Sequence, residues 1–199
     1  MSTIFKWIVF SLNLLRCFPH LILLYSHRNR RIMKADVERW LAELKFPYSL
    51  PVGFIFLLGL VPEFRNLFYF RIKGNFANLL SIVCPRMKTL ILDSKVIGEG
   101  LVIRHGIGSG ISAESIGKNC TIYQQVSIGY YKGFPTIFDN VTIYPGAVIM
   151  GKVKIGNNAI IGANSSVFQD VPDNCTVYPA RSMFMKWKHI NPETRSQER

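Results

Sequence analysis

From Ile97 to about Pro172 an aliphatic side chain returns at every sixth position: Ile97, Ile103, Ile116, Ile122, Ile128, Ile137, Ile143, Ile149, Ile155, Ile161 and Val167. Four residues after each opener stands a small or apolar residue, as in Leu101, Ile107, Cys120, Val126, Val141, Ala147, Val153, Ala159, Ser165 and Val171. Both positions have to face one core. Three residues after the opener, Gly, Asn or Asp recurs (Gly100, Gly106, Asn119, Asn140, Gly146, Asn158, Asn164, Asp170), and these residues tolerate a left-handed backbone at a corner. An ordinary strand alternates with period two and does not hold one residue class at spacing six over so long a stretch. The pattern therefore predicts a triangular parallel β-helix of short strands and corners, three hexads to a coil, with the eleven hexads filling roughly four coils.

Two intervals break the count. Ile103 to Ile116 spans 13 residues, one more than two hexads, and Ile128 to Ile137 spans nine, three more than one. Extra residues must leave a solenoid as loops, which are where such folds place binding and chemistry. Residues 104–115 and 130–136 are the segments so marked.

Before the hexads the pattern is helical. It predicts one helix near Ile4 to Leu24, an amphipathic one near Lys34 to Lys45 that Pro47 ends, and one or two between Val52 and Val83. The chain divides into a helical lobe at 1–85, the solenoid at 86–182 and a polar tail at 183–199. Charge is unequal: residues 1–95 hold 14 basic and 5 acidic side chains, the remainder 10 and 7. The lobe's apolar runs are interrupted or short. Lys6, Asn13, Arg16 and His20 break the first, and the uncharged run from Val52 to Val61 falls far below the roughly 20 residues a span needs. No small-residue cleavage site follows the first run, so no secretory leader is expected. Basic charge among aromatic and aliphatic residues fits peripheral contact with an anionic membrane surface better than a nucleic-acid partner. A cap that packs on the solenoid and on sister subunits would show the same pattern. The four cysteines have no paired spacing, which suits a reducing, cytoplasmic setting with the membrane's inner face at hand.

The segments Ile97-Gly-Glu-Gly-Leu, Ile103-Arg-His-Gly, Ile116-Gly-Lys-Asn-Cys-Thr-Ile, Gln125-Val-Ser-Ile-Gly, Ile155-Gly-Asn-Asn-Ala-Ile-Ile-Gly-Ala-Asn-Ser and the closing Pro179-Ala-Arg resemble the hexapeptide-repeat acyltransferases. Within them they resemble the serine acetyltransferase branch and its polysaccharide-modifying relatives. The resemblance implies a homotrimer of left-handed β-helices, acetyl-CoA in the groove between neighbours, no metal, and a catalytic histidine at His105. His105 lies two residues after an inward Ile103, so it should point outward, and neutral imidazole suits removal of a hydroxyl proton during attack on a thioester. His20, His27 and His189 lie far from it in sequence, so a three-histidine zinc site is not expected. Gly129, Gly146, Ala147, Gly162, Ala163 and Ser165 are candidates for close approach to the pantetheine arm.

Departures from the serine acetyltransferase pattern shape the expectation about the acceptor. Leu90 stands where that branch has the aspartate partner of its histidine, Phe134 where it has a second histidine, and Arg104 where it has an aspartate. Glu114 cannot be matched securely to its substrate-holding glutamate. With Arg104, Glu114, Tyr123, Tyr130 and Phe134 as candidate acceptor residues, an aromatic, hydroxyl-bearing site suggests a sugar hydroxyl of a surface polysaccharide or its precursor, with serine a poor acceptor. Serine O-acetylation for cysteine biosynthesis is the alternative enzyme reading, and a catalytically silent scaffold in a membrane-associated complex is the non-enzymatic one.

Overall fold

The computed structural model describes residues 3–180, with side-chain surroundings from residue 13 onward; Arg181 and the tail lie outside the described residues. Five helices come first: α1 (Thr3–Ser26), α2 (Arg30–Glu43), α3 (Leu50–Leu60), α4 (Pro62–Ile72) and α5 (Gly74–Val83). The region expected to hold one or two helices holds three, because two breaks divide it. Pro62 takes the first position of α4, where its missing N–H costs nothing, and the chain bends by 110° between α3 and α4. Lys73 and Gly74 then take positive φ (51° and 71°) and separate α4 from α5. No single described helix is long and apolar enough to cross a membrane. Much of the lobe's hydrophobicity is its own core, where Trp40, Phe54, Phe64, Phe68 and Tyr69 pack edge to face around Leu57, Leu58 and Leu67. Cys17 and Cys84, far apart in sequence, bring their sulfurs to 3.7 Å in this core.

Fourteen short strands follow: β1 (Leu90–Leu92), β2 (Val96–Ile97), β3 (Val102–Ile103), β4 (Ser109–Ile111), β5 (Ser115–Ile116), β6 (Thr121–Ile122), β7 (Ser127–Gly129), β8 (Thr136–Ile137), β9 (Thr142–Ile143), β10 (Val148–Met150), β11 (Lys154–Ile155), β12 (Ile160–Ile161), β13 (Ser166–Val167) and β14 (Thr176–Val177). They form three parallel sheets, ordered β1-β4-β7-β10-β13, β2-β5-β8-β11 and β3-β6-β9-β12-β14. The result is a left-handed parallel β-helix of about five turns. The expected four turns fall short because β1 precedes the first hexad and β14 follows the last. Register stacks like on like: Ile111, Ile128, Ile149 and Val167 form one column, Ile97, Ile116, Ile137 and Ile155 the second, and Ile103, Ile122, Ile143 and Ile161 the third. Every opener is buried, and each such side chain removed from water contributes about 1.5–3 kcal/mol.

Three corners join the sheets. Corner I leads from the third sheet to the first (104–108, 123–125, 144–146, 162–164), corner II from the first to the second (112–114, 130–135, 151–153), and corner III from the second to the third (98–101, 117–120, 138–141, 156–159). At corner III, Gly100, Asn119, Asn140 and Asn158 all take positive φ, and Asn140 and Asn158 donate side-chain hydrogen bonds to the asparagine of the next coil. Gly106 and Asp170, expected to behave likewise, do not. Ile107 also departs: it is exposed, and Ser109 takes its place in the core.

The lobe is clamped to the first coil. Asp36 and Arg71, both almost fully buried, form an ion pair at 2.8 Å; Arg71 also donates to the carbonyls of Ile97 and Gly98, and Asp36 accepts from the Gly100 amide at 2.7 Å. The Trp40 indole N–H donates to the Leu101 carbonyl at 2.8 Å. Burial costs both ions their hydration, and the clamp is tolerable because each finds backbone partners as well as the other.

Candidate active site

Hydrogen-bond register identifies what is irregular at corner I. The Arg104 amide donates to Ile122 and the Tyr123 amide to Ile143, which pairs Arg104 with Tyr123 and Tyr144. The Gln125 amide donates to Ile107 and the Gly146 amide to Gln124, which pairs Gly108 with Gln125 and Gly146. Two residues remain without counterparts in the later coils, His105 and Gly106. The corner therefore gains two residues, whereas the next turn from Ile111 to Ile116 loses one; the 13-residue interval hides this because it also contains the regular strand β4.

His105 itself takes a left-handed conformation, φ 52°, and is exposed. Its carbonyl accepts from the Ile107 amide at 2.6 Å, which closes the bulge. The helical lobe supports the bulge from beneath. The Gly106 amide donates to Glu63 Oε1 at 3.2 Å, and a Cβ at Gly106 would meet Ile103, Leu90 and Glu63 at 3.0–3.2 Å, so glycine lets the chain settle onto them. On the other side Arg104 pairs with Glu43 at 2.9 Å, and Glu43 is held in turn by Arg39 at 2.8 Å. Leu90 is buried apolar support for this turn, and Glu63, at the start of α4, is the carboxylate beneath it. Sequence reasoning missed Glu63 because only tertiary packing brings it within reach of a residue 43 positions away. It also missed Gln124, at the same corner one coil on, whose buried side-chain oxygen has no hydrogen-bond partner among the described residues.

The other candidates divide between corners. Arg104, Tyr123, Gly146, Gly162 and Ala163 share corner I with His105. Gly129, Tyr130, Phe134 and Glu114 lie at or beside corner II, where Glu114 pairs with exposed Lys95 at 2.7 Å and donates its amide to Pro135. One chain does not bring Phe134, Tyr130 or Glu114 to His105. Ala147 and Ser165 do not line a groove at all: both are fully buried, facing the solenoid core, where only small side chains fit. Gly146 and Gly162 answer first to coil stacking, since a Cβ would collide with Asn164 Oδ1 at the first and lie 2.7 Å from the Val177 carbonyl at the second. A cavity of about 640 Å³ opens at the far end of the same edge, lined by Asn164, Ser166, Tyr178, Pro179 and Ala180.

Residues 134–169 match the family model described as bacterial transferase hexapeptide (six repeats). Over those residues the chain carries the hexapeptide repeat of bacterial transferases, and the curated relatives it resembles are serine acetyltransferases. Among relatives of this hexapeptide-repeat chain, a serine acetyltransferase of Synechococcus elongatus is 38% identical over 109 residues, covering 51% of this chain and 45% of that protein. One from Staphylococcus aureus is 47% identical over 87 residues, 41% of each. The chain thus spans about half the length of the curated relatives it matches. Solved structures agree on the fold: serine acetyltransferase of Neisseria gonorrhoeae in complex with serine superposes with TM-score 0.59 at 24% identity, covering 79% of this chain and 69% of that one. A serine acetyltransferase in complex with CoA gives 0.56 at 22%, covering 79% and 71%.

These relatives overturn the expectation of a sugar acceptor in polysaccharide biosynthesis, because the curated proteins that share this solenoid are named for serine. The aromatic residues expected to receive a sugar are divided between two corners. Tyr123 is stacked on Tyr144 (5.2 Å between centroids, 13° between planes), and Tyr130 packs on Phe134 at another corner.

Proposed function

We propose that this protein is an acetyl-CoA-dependent O-acetyltransferase whose acceptor is serine, with His105 as general base. The observation that carries the reading is the His105–Gly106 bulge: an exposed imidazole on a left-handed corner, seated on Glu63 and flanked by the Arg104–Glu43 pair. His105 takes the proton from the serine hydroxyl as the oxygen attacks the thioester carbonyl. The tetrahedral intermediate then expels the CoA thiolate, which takes up a proton, and O-acetylserine remains. General-base assistance of this kind contributes about 10²–10⁴ in rate. Glu63 positions the base by fixing the Gly106 amide, in place of the carboxylate that Leu90 cannot supply.

The pantetheine arm of acetyl-CoA fits along corner I, over the outer faces of Gly146, Gly162 and Ala163 toward the cavity at Asn164 and Tyr178. Corner II of a neighbouring copy would complete the site, since Phe134, Tyr130 and Glu114 reach His105 only from another chain. A homotrimer supplies that juxtaposition three times, and it gives the apolar outer side chains Val96 and Ile160 a partner.

The test is to incubate purified protein with acetyl-CoA, with and without serine, while following free thiol and O-acetylserine. Serine-dependent release of CoA is expected. Thiol release that serine does not stimulate would overturn the acceptor, and absence of any acetyl transfer would overturn the activity.

A further inference from the structure

Away from His105 the helical lobe has a second feature that acetyl transfer does not use. A cavity of about 600 Å³ lies between the end of α4, the start of α5 and the segment that leads from α5 to β1. Lys73, Arg86 and Lys88 line it together with Asn75 and Asn78, and no Asp or Glu is among its lining residues. Arg86 is held in place, donating to Asn78 Oδ1 at 3.1 Å with its guanidinium 5.0 Å from the Tyr69 ring centroid. Lys73 rests its ammonium 4.7 Å from the Phe70 ring. None of the three cations has a carboxylate within ion-pair distance among the described residues, and all three are exposed. Three of the lobe's few acids are engaged elsewhere, Asp36 with Arg71, Glu43 with Arg39 and Arg104, and Glu63 with Gly106.

Beside this cavity α5 has no charged residue, and its outer edge is apolar. Phe76, Leu79, Ile82 and Val83 are 47–76% exposed, while Ala77 and Leu80 hold the helix to the core. The helix packed against it, α1, adds an exposed row at 3-4-3 spacing, Leu15, Phe18, Ile22 and Tyr25, and Lys34 places its ammonium over the Tyr25 ring. Free cations at the rim of an apolar helix edge match the layered chemistry of one surface, anionic headgroups above acyl chains. We propose that the lobe docks on anionic membranes, with a lipid phosphate held in the Lys73–Arg86–Lys88 cavity and the outer edge of α5 entering the acyl layer.

The experiment is sedimentation of the full-length protein with vesicles of phosphatidylglycerol and phosphatidylcholine, compared with phosphatidylcholine alone. Binding should require the anionic lipid and weaken as salt rises. Each cation near such a surface is worth about fivefold in affinity, so Lys73→Gln/Arg86→Gln/Lys88→Gln should lower binding by about 100-fold. Lys73→Gln/Lys88→Gln spares the Tyr69 contact and should still lose about 25-fold with an unchanged melting temperature. Phe76→Ser/Leu79→Ser/Ile82→Ser should lose binding that salt does not control. Equal binding by wild type and the double variant would overturn the site. Titration with inorganic phosphate separates the other sources: tight phosphate binding without vesicle binding would mean a soluble anion site. An assembly larger than a trimer that the Phe76→Ser/Leu79→Ser/Ile82→Ser variant dissolves, again without vesicle binding, would mean that α5 meets a second copy. Either result defeats the proposal.

Discussion

The helical lobe and the solenoid bury comparable side chains by opposite rules. In the solenoid, residue class alone fixes position: Ile122 stacks on Ile143 and Ile143 on Ile161, and any column member meets neighbours like itself. In the lobe nothing repeats. Phe54 touches Phe64 and Phe68, Trp40 touches Phe64, and Tyr69 satisfies its hydroxyl on the Leu80 and Cys84 carbonyls beside His20, so each contact is individual. Repetition supplies a rigid rod with little to distinguish one corner from the next. The individuality that sets the His105 corner apart comes from the lobe, through Glu63 and Glu43, while Asp36 and Arg71 fix the lobe to corner III of the first coil.

The comparison is tested most severely at the clamp. Asp36→Ala leaves the Arg71 guanidinium buried without its counter-ion and the Gly100 amide without its acceptor, and should cost about 3–5 kcal/mol in a denaturant titration. A loss below about 1 kcal/mol would mean that the buried ion pair adds little to what holds lobe and solenoid together. Next in size is an acid sensitivity confined to the lobe. Burial, with Arg16 nearby, pushes His20 down to about 4 from its ordinary 6.5. The unfolded chain therefore binds a proton that the folded one refuses between those values. Stability is full above pH 6.5 and is lost as pH falls toward 4, by up to about 3 kcal/mol. His20→Gln should flatten that part of the profile, and an unaltered profile would place the acid sensitivity elsewhere. Smallest is a solenoid column change: Ile143→Val removes one methyl group among like neighbours and should cost about 0.5–1.5 kcal/mol by thermal unfolding. A larger loss would show that the columns are as individual as the lobe.

These rules also explain what could be read from the chain. The period of six carries the three columns, the corners at Gly100, Asn119, Asn140 and Asn158, and the marking of the segment around His105, because solenoid contacts are local and repeated. The size of the bulge was not legible, since two residues gained after Ile103 and one lost after Ile111 sum to a single extra residue. The break at Lys73 carries no sequence signal strong enough to separate α4 from α5. Ala147 and Ser165 looked like groove residues because small side chains serve a groove and a narrow core alike. Glu63 and the Cys17–Cys84 contact depend on lobe packing and have no periodic signature. The acceptor was not legible, because the sequence shows that the branch's polar residues are replaced but not that Tyr123 stacks on Tyr144 and Tyr130 packs on Phe134.

The central claim is that the His105–Gly106 bulge is where a hydroxyl loses its proton. The most direct measurement is the serine-dependent rate of CoA release by purified His105→Ala, taken beside its melting temperature and oligomeric state. The rate should fall by about 10²–10⁴ with fold and assembly unchanged. A variant that keeps more than half the wild-type rate would contradict the account.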